Sequence, residues 1–397
     1  MSSYERKYMT FERTTEVFGF FMRDIYAVLP VINFDNFTNH LNQDHGNWDV
    51  EFSALAHALD MLHESYMYKL TPTGGPRNVL SCISMIEQLR CRYDYAEDPT
   101  ADTVIVSFAL FVAYNVVGKH QRALLYLSEA SKLVDFTRTD SPIEAMRIQR
   151  LKALLFITTS ATTLLSENSA WRVDVPPPVD IEDLISWYSL AGTSAGDMAS
   201  EDIRDLDQFA IRQLQLMTQI YRSARDGASW DYLGEYNVAN SVSSVRLPAT
   251  RMVRIVIADL SITQLWFSSD KRRLHNSGNY DNILKLCQTA NLAETTGRKA
   301  LAWARSLSQS ELRIVGLGKM VDILENMVHL CSLDPNSTAE VEILARDLTT
   351  AISTADYEFT YATTLARSAE LLKHIANIYA GISCGPVIGE VTKHSDA

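Results

Sequence analysis

The sequence predicts an all-α protein, a multi-helix bundle. Apolar residues recur at three-to-four spacing almost throughout, alternating strand-like runs are scarce, and Gly, Pro and capping residues break the pattern. The 397 residues, 47% hydrophobic and 21% charged, have ordinary globular composition and suffice for a large core.

The elements follow in chain order. Gly74-Gly75-Pro76 ends one helix. From Arg77 to Arg92, Val79, Leu80, Ile83, Ile86 and Leu89 share one helical face, with Arg77, Glu87 and Arg90 largely elsewhere, and Glu97-Asp98-Pro99 closes the element. The next helix spans Thr100 to Val117 and stops at Gly118. Its partner, Gln121 to Phe136, carries the stripe Ala123, Leu124, Leu127, Ala130 and Val134, and so short a turn makes the pair antiparallel. Thr139-Asp140-Ser141-Pro142 is a helix start: a capping hydroxyl, then proline at the first helical position, then Glu144 in the first turn. That helix should reach Leu165, and the prolines of Trp171–Pro178 demand an extended segment. A short helix over Ile181–Leu190, a loop over Ala191–Gly196, and a helix over Asp202–Ala224 follow. After the irregular stretch Gly227–Val245, helical patterns run from Pro248 to Ile382, broken near His275–Gly278 and Asp334–Thr338. The domain organisation read from this pattern is a helical core over 1–190, a connecting segment with one helix over 191–247, a C-terminal bundle over 248–384 packed on the core, and a flexible tail over 385–397.

Charge and hydropathy exclude several functions. A formal net charge of −12 is unsuited to gripping nucleic acid, which rests on Lys and Arg displacing counterions. The polar start Met1–Lys7 is no secretory signal, and the most apolar window, Thr103–Val117, is too short to span a bilayer. A location in the nucleus or cytoplasm follows, and the five scattered cysteines read as reduced thiols.

The chemistry-bearing patterns are thin. Cys82 and Cys91 face opposite sides of their helix, and His57 and His63 are not spaced as paired ligands. Glu201, Asp202, Asp205 and Asp207 are the sharpest acidic group. Asp202 and Asp205 have the spacing that could hold Mg²⁺ for diphosphate ionisation, but acids in a first helical turn more simply complement the macrodipole. No GxSxG, HExxH or GxxxxGK[ST] occurs. Gly316-Leu317-Gly318-Lys319 sits inside a helical pattern and reads as a close helix contact, and Lys271-Arg272-Arg273 as a solvated helix end. No residue is assigned a catalytic, cofactor-binding or metal role.

Several stretches taken together resemble the middle homology region of fungal-specific transcription factors, in particular regulators of starch and maltose use. Phe20–Ile32 resembles the family's opening aromatic helix and proline turn, with only Pro30 kept, and Asn33-Phe34-Asp35-Asn36-Phe37 continues it. Phe108–Tyr114 with Gly118–Leu127 is similar to the family's apolar helix, Gly turn and tyrosine-bearing helix. Arg147–Phe156 resembles its arginine-rich helix, with Ala153 or Leu154 in place of tryptophan. The likeness covers Phe18 to Pro178 and continues loosely toward Leu247. It implies a helical regulatory fold. The family's binuclear zinc cluster has no counterpart here, the first cysteine being Cys82. The resemblance therefore implies a regulator or co-regulator of a carbohydrate or secondary-metabolite gene set. Such a chain would act through a DNA-binding protein partner or a second copy of itself and answer to a small-molecule effector, without touching nucleic acid or membrane. The alternative is an enzyme of specialised metabolism on the same scaffold, a cyclase or isomerase whose apolar substrate meets Trp48, Trp187, Trp230, Trp266 and Trp303.

Overall fold

In the computed structural model, the described residues are 9–43, 48–70, 76–139, 141–165, 184, 201–226, 251–269, 292–333, 338–356, 365–366 and 370, and every regular element among them is an α-helix. The protein is all-α, as its periodicity predicts. The chain forms two compact units, one comprising Met1–Gln264 with Arg313–Val315 and the other Leu265–Leu312 with Gly316–Ala397. The predicted extended segment Trp171–Pro178, the loop Ala191–Gly196, the stretch Gly227–Val245, the break near His275 and the tail 385–397 lie outside the described residues. So does the predicted helix over Ile181–Leu190 apart from Leu184.

The first unit is built around its most apolar helix. The helices α1 (Phe11–Asp24), α2 (Phe34–Leu41), α3 (Val50–Leu70) and α4 (Arg77–Arg90) precede α5 (Ala101–Val116). Twelve of the sixteen residues of α5 are buried, so this helix has no solvent face and must be surrounded. It packs against α3, α4, α6 (His120–Phe136) and α7 (Pro142–Leu165), and α7 packs in turn on α8 (Glu201–Asp226). Gly118, at φ +75°, makes the turn that folds α6 back on α5, a conformation only glycine adopts without strain. Pro142 is the first residue of α7, and the Ser141 hydroxyl accepts from the Glu144 amide at 3.2 Å, the cap the sequence predicts.

Two residues of α4 depart from the predicted face. Leu80, assigned to the apolar stripe, is exposed, whereas Arg90, placed off it, is only 4% exposed. Arg90 is buried because it finds partners there: Glu129 of α6 at 2.5 Å, and the Tyr95 ring 3.9 Å below its guanidinium carbon.

The helix α9 (Arg251–Ser269) crosses the boundary between the units. In the second unit α10 (Leu292–Ser306), α12 (Leu317–Leu333) and α13 (Thr338–Ala355) pack against one another, and Trp266 donates its indole N–H to Asp322 at 3.1 Å. The predicted break near Asp334–Thr338 falls on residues 334–337, between α12 and α13, which lie outside the described residues. A further break falls at the short α11 (Gln309–Val315), opened by a capping box between Ser308 and Glu311. Gly316 ends α11 at φ +107° with open space around its α-carbon, so it is a turn and not the close helix contact its pattern suggests. That contact occurs at Gly297, where an added Cβ would lie 2.5 Å from Met327 Cε and 3.1 Å from Leu344 Cδ1.

Candidate functional site

The starts of several helices of the first unit meet at a cavity of about 370 Å³. Three of the caps line it: Asn33 of α2, Asp49 of α3 and Thr100 of α5. Each side-chain oxygen accepts a backbone N–H that the first helical turn leaves without a partner, which is why these residue types stand there. The first turns add Glu51, Asp102 and Glu144, acids that complement the positive helix ends. Phe37, Phe52 and Leu55 form the apolar wall.

The charges on this wall are unevenly matched. Arg147 is almost enclosed and is fully engaged, pairing with Asp102, with Glu144 at 3.0 Å, and with the Val31 carbonyl at 3.2 Å. The two carboxylates hold its guanidinium ionised against the burial that opposes charge. Arg138 lies 3.7 Å from Asp98 at the exposed rim. Glu51 has no such cation: its Oε1 accepts only from the hydroxyls of Thr100 and Thr103. Burial therefore pushes its carboxyl above the ordinary range. Asn33 is 3% exposed, and its Oδ1 is fixed by accepting the Asn36 amide at 2.9 Å. That cap settles the amide orientation and leaves Nδ2 buried without a protein partner.

No known protein family, characterised protein or solved structure matches the chain.

The acidic group that the sequence singled out does not assemble. Asp202 is exposed in the first turn of α8, Asp205 is half-buried, and Asp207 points into the core. Asp207 is instead the partner of Arg150, Nη1 to Oδ1 at 2.7 Å and Nη2 to Oδ2 at 3.3 Å, with both side chains 0% exposed. Tyr26 donates its hydroxyl to the same carboxylate at 2.7 Å, and Arg150 also donates to the Pro30 carbonyl at 2.9 Å. This cluster ties the end of α1 to α7 and α8 and has no opening for a substrate.

A grouping that pairwise spacing of His and Cys does not find is Asp60, His63 and Glu64, whose ligand atoms lie within 4.8 Å of one another on α3. The signal was the i, i+3, i+4 pattern across residue types. Arg13 fills the place of a cation there, donating to Asp60 at 2.7 Å and Glu64 at 3.1 Å. The nearby Cys82 thiol is pushed up to about 12 by burial and by Asp60 and Glu64, so it stays protonated. His57 lies apart from this group, its Nδ1 donating to the Ser53 carbonyl at 2.9 Å. A smaller apolar cavity of about 130 Å³ between α7, α8 and α9 is lined by Leu154, Leu214 and the buried amide of Gln213. Trp48, Trp266 and Trp303 line neither cavity, while Trp187, Trp230 and Lys271-Arg272-Arg273 lie outside the described residues.

Proposed function

We propose that this chain is the effector-binding part of a transcriptional control system. In this reading a small molecule enters the cavity at the starts of α2, α3, α5 and α7, and the chain acts on a carbohydrate or secondary-metabolite gene set through a DNA-binding partner protein or a second copy of itself. One observation supports it above the others: the cavity wall holds a buried amide donor without a protein partner and a half-buried carboxylate that accepts only from hydroxyls. The helices around it give a bound molecule leverage, because α3, α5 and α7 share the core and a ligand that prefers one packing shifts the whole unit. A net charge of −12 supports leaving contact with nucleic acid to such a partner. The second reading, a cyclase or isomerase acting on an apolar substrate, draws less support, since the larger cavity is polar and acidic.

Deletion of the gene separates the two readings. Loss of transcripts from a co-regulated gene set is the expected result. Intact transcripts with an accumulating precursor would overturn the regulatory reading in favour of catalysis, and sequence-specific retardation of DNA by the purified chain alone would refute its dependence on a partner.

A further inference from the structure

Among the described residues of the first unit, the buried arginines each carry a carboxylate: Arg90 has Glu129, Arg147 has Asp102 and Glu144, and Arg150 has Asp207. Glu51 is the converse case, a half-buried carboxylate at the cavity wall that accepts from two hydroxyls and has the like charges of Asp49 and Asp102 near it. We propose that this cavity binds a small monocationic amine, its ammonium on the Glu51 carboxylate and a carbonyl or hydroxyl oxygen on Asn33 Nδ2. The assignment rests on the effector-binding reading above and names the ligand class.

Charge decides between an anion and a cation here. Helix starts attract anions, each acting as roughly half a positive charge. Five carboxylates line the cavity against two guanidiniums, an excess of three negative charges. The four helix starts together offset about two of these. About one negative charge is left over, and one ammonium neutralises it. Asn33 Nδ2, a buried donor without a protein partner, calls for an acceptor on the same molecule, since a buried amide N–H left unmade costs as much as a lost hydrogen bond. Phe37 and Phe52 offer a ring or aliphatic portion an apolar face. The cavity volume of about 370 Å³ suits a molecule of one ring and a short chain. The other acidic grouping, Asp60 with Glu64, differs in that a guanidinium already sits on it, Arg13 pairing with both carboxylates.

The probe is L-phenylalaninamide, which carries an ammonium, a carbonyl and a ring. Its comparators are neutral 3-phenylpropanamide and anionic N-acetyl-L-phenylalaninate, all titrated into the full chain by calorimetry up to about 10 mM. The amine should bind at least about tenfold more tightly than the neutral amide. Glu51→Gln, which keeps the acceptor for Thr100 and Thr103, should abolish that preference. Asn33→Ser, which keeps a capping oxygen but removes Nδ2, should weaken the amine and the neutral amide alike. Far-UV circular dichroism confirms that both variants are folded. Equal or tighter binding of the neutral or anionic compound, no binding of the amine, or undiminished preference in Glu51→Gln would each overturn the assignment. Those results leave the regulatory reading standing, whereas intact transcripts in the deletion strain remove that reading whatever the cavity binds.

Discussion

Replacing Asp207 by Asn tests how the first unit is held together. The substitution keeps the shape of the side chain and removes the charge that faces the Arg150 guanidinium, which is 0% exposed. Two hydrogen bonds from Arg150, at 2.7 and 3.3 Å, lose their charge-assisted character, and so does the bond from Tyr26 at 2.7 Å. Breaking a buried ion pair by removing one partner costs about 3–5 kcal/mol, because the remaining charge stays buried. For a unit of this size, each kcal/mol moves the melting temperature by roughly 2–4 °C, so a fall of roughly 6–20 °C is expected. Scanning calorimetry is the assay, since it resolves separate transitions where the two units melt apart. The companion is the double variant Arg150→Met with Asp207→Leu, which removes both charges and fills the space with apolar atoms. It should melt above the Asp207→Asn single variant, because no unpaired charge is left behind. A single variant within about 2 °C of the parent, or a double variant less stable than the single, would refute the claim that pairing of these charges dominates the energetics of the cluster.

Four further outcomes follow from the packing. Gly297→Ala should destabilise by about 1 kcal/mol, overpacking against Met327 and Leu344 outweighing the gain in helix propensity. Gly19→Ala, with nothing within 4 Å of the new carbon, should stabilise by about 0.5–1 kcal/mol, so urea titrations should shift in opposite directions. Gln213→Leu replaces a buried amide whose Oε1 and Nε2 lack protein partners and should stabilise by about 1–3 kcal/mol in the same assay; a loss of stability would contradict it. Glu51 binds its proton more tightly folded than unfolded, so stability should fall as pH rises from about 4.5 through the raised folded value. Glu51→Gln should flatten that decline in melts taken across the range, and an unchanged slope would count against the burial of its charge.

How much of this was legible depended on the range of the interaction. The central helix announced itself, because a segment apolar on all sides, Thr103–Val117, has no solvent face to offer. The Gly118 turn and the Ser141-Pro142 start were equally plain, since each is fixed by a residue's own backbone chemistry. The exchange of Leu80 and Arg90 was not, because a helical pattern ranks faces by hydropathy and cannot see a carboxylate on another helix. Arg90 goes inside because Glu129, thirty-nine residues later, is there to meet it. Asp207 misled for the same reason. In sequence it reads with Asp202 and Asp205, yet it sits five residues beyond Asp202 and so on another side of α8, facing Arg150 fifty-seven residues earlier. Ser308 and Glu311 show a different kind of miss: the capping-box spacing was present, but the apolar periodicity around it ran on.

The cavity was the least legible feature, and its construction explains why. Its wall comes from the caps and first turns of helices that are far apart in sequence, and each such residue has a sufficient local reason to be there. Asn33, Asp49 and Thr100 cap, while Glu51, Asp102 and Glu144 complement helix ends. A residue that satisfies a local rule gives no sequence signal of a second role. Only the assembled geometry separates those whose polar atoms are all engaged from those with capacity left over. Arg147 spends its guanidinium on two carboxylates and a carbonyl, so it stiffens the wall. Glu51 and Asn33 each retain one unmet requirement, a cation for the first and an acceptor for the second. A bound molecule that met both would relieve two desolvation penalties at once, so its binding would be coupled to the packing of α2, α3 and α5 and not merely added to it.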